Sequence, residues 1–464
     1  MNEKKQSLRG FHRAILGRVS FFLVLLLVLS GCRGRDADIW KQGLFGQTET
    51  EGGEQVLSSS GFYFDLEEAE KRLLADHTID QSPPQRSAPL TEEQRVADFN
   101  VLFDMLESDY PFFGLIERRD GRSWVSKRAE FEQRVRAAAD DEDFGWVLND
   151  ILLELGSDHA KLCYYDEIEE MARHYSYYTD IPSIRLEYLM LNDTTVRDRY
   201  GIDAVPPSTD EDGYWEDDPA NWRDNLRCED LIPGKVAMLV VPEMLSEVEW
   251  GRDAELLSEY LPKIQDYPAL VIDIRGNPGG LMEYWQSLLV PAIAAQPYES
   301  ANWLFFRGGA SSTPLLNELG SDLHPMEELA EFQKQFAPIQ FAHEEDLKAF
   351  RYFYRDVTHV APSENSIRYK GRIYVLTDER VYSAAEAFAS FAKNSGFATL
   401  VGSKTGGDGL TLGMLYRALP NSGYVFTYTN ALGYAPDGSA NEEMKTAPDV
   451  QTDDSIGWII EQES

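Results

Sequence analysis

Gly371-Arg-Ile-Tyr-Val-Leu-Thr377, followed within a few residues by Val381-Tyr-Ser-Ala-Ala-Glu386, decides how the C-terminal half of this chain folds. The first run is apolar and β-branched and reads as a strand. The second opens an alanine-rich run, Ala384 to Lys393, that reads as a helix. Ser383 therefore stands at a strand-to-helix junction, beside unpaired backbone N–H groups and the positive end of the helix dipole. A serine there is also a favoured helix cap. The same field would stabilise an oxyanion forming on a carbonyl attacked by that serine.

Working outward, two more strand-and-loop units flank this one. Ala269-Leu-Val-Ile-Asp-Ile-Arg-Gly-Asn-Pro-Gly-Gly280 is a continuous apolar run, the mark of a buried strand, ending in Asp273, Arg275 and a Gly/Pro turn. Gly279 and Gly280 allow close backbone approach and can turn N–H groups toward a ligand. Ala398-Thr-Leu-Val-Gly-Ser-Lys-Thr-Gly-Gly-Asp-Gly409 is a short strand entering another glycine-rich loop. In this order, D-x-R-x-N-x-G-G and then S-A-A-E, the chain closely resembles the tail-specific (C-terminal-processing) serine peptidases over about residues 90–165 and 234–452. That resemblance implies an α/β fold with a crotonase-like protease core, a polypeptide substrate, and Ser383 as nucleophile.

A serine needs a general base. In the lysine-using branch of the family the base lies about twenty-five residues after the serine. That count from Ser383 reaches Asp408, and Lys404 falls four positions early. The other branch, similar to the tricorn core protease, takes a histidine from an N-terminal helical region. Leu155-Gly-Ser-Asp-His-Ala160 stands where that pattern commonly shows D-G-H-T, so His159 is the expected base. The tricorn-like pattern also places a glutamate seven residues before the aspartate of a terminal Pro-Asp. Stepping back from Asp449 gives Glu442, with Glu443 adjoining, although the glycines usual around it are missing. In such sites the glutamate acts through a serine, for which Ser157 is the candidate by position. The backbone N–H of Ala384, with that of Gly279 or Gly280, is the expected oxyanion hole. Asp273 and Glu386 are expected to anchor loops rather than to move protons. No metal or cofactor is implied: the three cysteines show no C-x-x-C spacing and no H-E-x-x-H occurs.

The amino terminus carries a basic leader (Lys4, Lys5, Arg9, Arg13, Arg18) and an apolar run from Val19 to Leu29, too short to span a bilayer. Leu29-Ser-Gly-Cys32 resembles the bacterial lipobox, which implies a lipid-modified Cys32 and attachment to an envelope membrane, facing away from the cytoplasm. The formal net charge of −36 disfavours nucleic acid as a partner. With 43% hydrophobic and 12% aromatic residues, the acidity does not signal disorder.

Residues 1–31 thus read as signal peptide and 32–90 as a polar tether with a short helix at Leu66 to Ala75. Residues 91–162 read as a helical subdomain, opened by the capping box Thr91-Glu-Glu-Gln94 and by Val96, Phe99, Phe103, Leu106 and Tyr110 on one helical face. A second helix, Phe144 to Leu155, leads to the His159 loop. Residues 163–233 are an acidic insert of unassigned fold with no recognisable PDZ domain. Within it, Asp210 to Asp218 lacks EF-hand spacing and reads as a solvated loop. Residues 234–464 are the peptidase core. A helical insertion is expected over Pro325 to Asp356, and Tyr424, Phe426 and Tyr428 alternate as a late strand. Cys163 and Cys228 are left without a dictated pairing. The competing functions are a catalytically inactive peptide- or lipid-binding protein on the same fold and a scaffolding surface lipoprotein.

Overall fold

The computed structural model describes residues 79–85, 88–207, 219–336 and 343–464. The leader, Cys32, the Leu66 to Ala75 segment and the Asp210 to Asp218 stretch lie outside them. The first helix, α1 (Glu92–Asp109), starts where the capping box predicts. Thr91 Oγ1 accepts from Gln94 N–H while the Gln94 side chain accepts from Thr91 N–H. Its Phe99, Phe103 and Leu106 are fully buried with Tyr110. They pack with α2 (Phe113–Asp120), α3 (Arg128–Ala137) and α4 (Asp141–Leu153) in one hydrophobic cluster. Trp124 stacks on Phe103 with ring centres 4.9 Å apart, and its indole N–H donates to the Ile151 carbonyl, joining α1 to α4. Past α4, a short strand β1 (Lys161–Leu162) follows. The insert continues as α5 (Tyr165–Tyr175), α6 (Pro182–Leu191) and α7 (Thr194–Tyr200).

The core sheet follows. Its strands are β2 (Arg227–Ile232), β3 (Val236–Val240), β4 (Ala269–Asp273), β8 (Arg372–Thr377), β9 (Thr399–Gly402) and β13 (Val450–Gln451), in the order β13-β9-β8-β4-β3-β2. All neighbours are parallel except the edge hairpin β2–β3. The sheet thus takes in residues 227–232, upstream of the expected start of the core. Ala237, Leu239, Leu270, Ile272 and Val375 face a cluster with Trp285, Phe388 and Phe391. Val236, Met238, Val271 and Leu376 face Ile459 of the last helix, Ser455–Glu463. Burial on both faces explains why these strands are continuous apolar runs rather than alternating ones.

Two antiparallel sheets complete the fold. One has β5 (Tyr298–Phe306), β6 (Leu323–Pro325), β7 (Tyr352–Val360) and β12 (Ala431–Tyr434), ordered β12-β5-β7-β6. The other sets β11 (Val425–Thr429) between β1 and β10 (Met414–Ala418). The expected helical insertion is corrected here. Among the described residues between Pro325 and Asp356, Leu329–Phe332 and Glu344–Leu347 are α-helical, flanked by 3-10 turns at Met326–Glu328 and Gln333–Gln335. Tyr352 onward is a nine-residue strand paired with all of β5. Phe353 enters one cluster while Tyr352 and Tyr354 enter another, a period of two that aromatic residues on both faces conceal. Cys163 and Cys228 are free thiols.

Candidate active site

The loops after β4, β8 and β9 leave the same edge of the sheet, because parallel strands in register end together. They are laced by backbone bonds. Tyr382 N–H donates to Asn277 O at 3.2 Å, Gly406 N–H to Val381 O at 2.7 Å, and Ser383 N–H to Gly407 O at 3.2 Å. Asp378 Oδ1 adds a staple by accepting from Gly276 N–H and Arg380 N–H.

Ser383 is the first residue of helix α8 (Ser383–Asn394). Its φ is +53°, a left-handed conformation that costs an L-residue energy. It is not the cap: Tyr382 holds the N-cap position, and α8 has no side-chain cap. Ser383 Oγ lies 3.2 Å from His159 Nε2 instead.

His159 is delivered by β1, whose Lys161 and Leu162 pair with Thr427 and Phe426 of β11. Thr427 Oγ1 donates to the His159 carbonyl at 2.7 Å, and His159 N–H donates to Ser157 Oγ at 3.2 Å. The imidazole Nδ1 stands 3.1 Å from Asp408 Oδ2. An ionised carboxylate offers no proton, so Nδ1 must carry the hydrogen and Nε2 is left as the acceptor facing the serine.

Asp408 is buried and also has a left-handed φ, +52°. Its Oδ2 accepts from Ser157 Oγ at 2.6 Å and from the Tyr382 hydroxyl at 2.9 Å. Its Oδ1 accepts from Thr429 Oγ1 at 3.3 Å. Burial pushes the acid upward, but the His159 imidazole and the hydrogen bonds from Ser157 and Tyr382 outweigh it and hold Asp408 below the usual carboxylate range.

Glu442, expected to act through Ser157, forms no hydrogen bond or ion pair with Ser157 or His159 among the described residues. Residues Asn441–Met444 form a helical turn, and Glu442 faces Lys445 one turn on, with Oε2 to Nζ at 3.4 Å. Burial, and after it the charge of Asp408, push its carboxyl up to about 8. Glu443 points elsewhere, to Arg118 at 2.8 Å. Lys404 is exposed. Glu386 anchors loops, accepting from Asn441 Nδ2 and Thr446 Oγ1, and Asp273 holds Arg275. Sequence reasoning passed over Asp408 and Tyr382. The signal for the first is a carboxylate at the twenty-five-residue spacing that the lysine-using pattern gives to lysine.

Gly279 and Gly280 have φ of +111° and +122°. A Cβ on Gly279 would stand 2.8 Å from Ser383 Cβ, so the glycine loop lies directly against the serine. Asn277, fully buried, donates from Nδ2 to Val241 O and accepts Gly279 N–H at 2.8 Å. Gly279 N–H is therefore occupied. The N–H groups of Gly280 and Ala384 donate to no protein group among the described residues.

Residues 235–452 match the model of peptidase family S41. Among solved structures, mature CPAF is similar at 15% identity with a TM-score of 0.48, over 79% of this chain and 94% of that one. A peptidase candidate from Parabacteroides merdae aligns at 14% identity and a TM-score of 0.47, over 80% and 93%. The photosystem II D1 C-terminal processing protease aligns at 14% identity and a TM-score of 0.40, over 78% and 94%. No curated protein sequence matches the chain.

Proposed function

The chain belongs to the S41 family of serine peptidases through residues 235–452, and on that premise we propose that it is a lipid-anchored extracytoplasmic endopeptidase working through a Ser383–His159–Asp408 triad. The observation that carries this reading is the 3.2 Å separation of Ser383 Oγ and His159 Nε2, with Asp408 at the other ring nitrogen.

Ser383 Oγ attacks a peptide carbonyl carbon while His159 Nε2 takes its proton, and Asp408 stabilises the imidazolium that results. The carbonyl oxygen, now an oxyanion, is held by the N–H groups of Ala384 and Gly280, since Asn277 occupies that of Gly279. His159 returns the proton to the leaving amine as the C–N bond breaks. Water, deprotonated by the same imidazole, then cleaves the acyl-serine ester and regenerates the hydroxyl. The basic leader and Leu29-Ser-Gly-Cys32 support a diacylated or triacylated Cys32 as the membrane attachment.

The test uses residues 33–464 with unstructured casein and a fluorophosphonate probe. Wild type cleaves and is labelled; Ser383→Ala and His159→Ala lose both by about 10³-fold or more; Lys404→Ala keeps both. Loss with Lys404→Ala and not with His159→Ala would instead identify a lysine base. An unlabelled wild type would favour the binding-protein alternative. In the full chain, growth on a palmitate analogue labels wild type and not Cys32→Ala; label on both would remove the anchor from the proposal.

A further inference from the structure

Four loops meet at the candidate site, and one residue of the loop after β8 touches two of the others with its side chain and ties in the remaining one through its backbone. Tyr382 directly precedes Ser383, in extended conformation at the start of α8. Its N–H donates to Asn277 O of the glycine loop, and its carbonyl accepts from Ala385 and Glu386 N–H. It forms an isolated parallel bridge with Gly407. Its hydroxyl donates to Asp408 Oδ2 at 2.9 Å and accepts from Asp158 N–H at 3.2 Å, on the loop that carries His159. Its ring lies 5.1 Å from the His159 imidazole, inclined at 59°.

We propose that Tyr382 is a positioning residue for the serine peptidase reaction, fixing the Asp408 carboxylate and the His159 imidazole in one geometry with the nucleophile. The inference rests on the triad reading above and deepens it. A carboxylate that only had to be ionised would need no particular rotamer. One that must meet Nδ1 from a fixed direction has to be held, and Asp408 is held on Oδ2 by two hydroxyls, those of Tyr382 and Ser157. The two differ in origin. Ser157 belongs to the base loop and moves with His159, whereas Tyr382 is covalently joined to the nucleophile. The Tyr382 hydroxyl is therefore the link that reports the serine's position to the acid. Burial, followed by the charge of Asp408, raises the phenol far above its ordinary range, so it stays protonated and remains a donor at every working pH.

Tyr382→Phe keeps the ring against His159 and removes only the hydroxyl. The second-order rate of fluorophosphonate labelling should fall about tenfold, the worth of one hydrogen bond to a charged group. The acid limb of its pH profile should move to higher pH, because an Asp408 with one donor fewer attracts the imidazolium more strongly. In an Asp408→Asn background the same substitution should add almost nothing. Unchanged labelling and pH profile, or effects that add fully in the double variant, would overturn the proposal even if Tyr382→Phe lowers the melting temperature. A readout independent of turnover separates this failure from that of the peptidase reading. With 13C-labelled histidine in a Ser383→Ala background, the His159 titration seen by NMR should shift on Tyr382→Phe. An unmoved titration in a protein that never labels would sink both ideas; a moved one would preserve the positioning role alone.

Discussion

Ser383 comes to the site along a parallel strand and the first turn of the helix that follows it, inside a sheet buried on both faces. His159 comes from 224 residues earlier, beyond the end of α4, and is held by a two-residue strand against β11 and by Thr427. The nucleophile side is made of the loops that leave the ends of three neighbouring parallel strands, β4, β8 and β9. The base side depends on pairings distant in sequence. Asp408 joins the two: it sits in the loop after β9, on the nucleophile side, yet its donors include Ser157 and His159 from the base side. A site of this construction keeps a rigid serine and oxyanion cradle while its base depends on how the helical unit packs onto the core.

The strongest way to break that comparison is to cut the joint. Asp408→Asn keeps the shape but presents an amide where Nδ1–H needs a carboxylate. The imidazole then loses both its tautomer preference and its counter-charge. Casein cleavage should fall on the order of 10³- to 10⁴-fold in kcat/KM, with the melting temperature near that of wild type. A loss below about tenfold would mean that Asp408 is scaffold and that His159 works as an isolated base.

A smaller effect tests the nucleophile side alone. In Gly279→Ala the new methyl would stand 2.8 Å from Ser383 Cβ and 2.9 Å from Tyr382 O, at a φ of +111°. Backbone on both sides leaves little room to yield. The serine should shift by a fraction of an ångström, and labelling should drop about 100-fold. The His159–Asp408 contact should be kept, since the added methyl meets only Ser383, the Tyr382 carbonyl and Ala384 N–H. If the histidine moves as well, the two sides are not separable and the comparison fails.

How much of this was legible follows the same division. The strands of the core sheet could be read because parallel strands covered on both faces become unbroken apolar runs, and the turns after them need glycine and proline. Ser383 and the glycines lie in such local patterns. Asp408 did not stand out, because an aspartate in a glycine loop looks like any turn residue; only the fold shows that it receives Ser157, Tyr382 and Thr429. Counting back from the Pro-Asp points to Glu442, but spacing alone does not carry what the chain does without the usual glycines. With Asn441 to Met444 free to coil into a turn, Glu442 faces Lys445 instead of the serine. Residues 352–360 defeated pattern reading for a related reason, since an aromatic strand between two clusters shows no polar face.

The least disruptive change sharpens the contrast between the two carboxylates. Asp408 is held ionised by donors, whereas Glu442 is pushed up to about 8 by burial and by Asp408 itself, against an ordinary value of 4.5. Folding therefore takes up a proton at Glu442 between those two values. Its contribution to stability is full below about 4.5 and is lost as pH rises through about 8. Glu442→Gln removes the titration while keeping a neutral side chain of the same size. Urea melts should show a flatter dependence on pH from 5 to 8, with the variant gaining on wild type by roughly 1–3 kcal/mol at the alkaline end. Activity near pH 7 should stay within about threefold, because the wild-type side chain is already protonated there. A collapse of activity comparable to that of Asp408→Asn would make Glu442 the working acid after all. The joint between nucleophile and base would then run through Lys445 and the 441–444 turn rather than through the loop that follows β9.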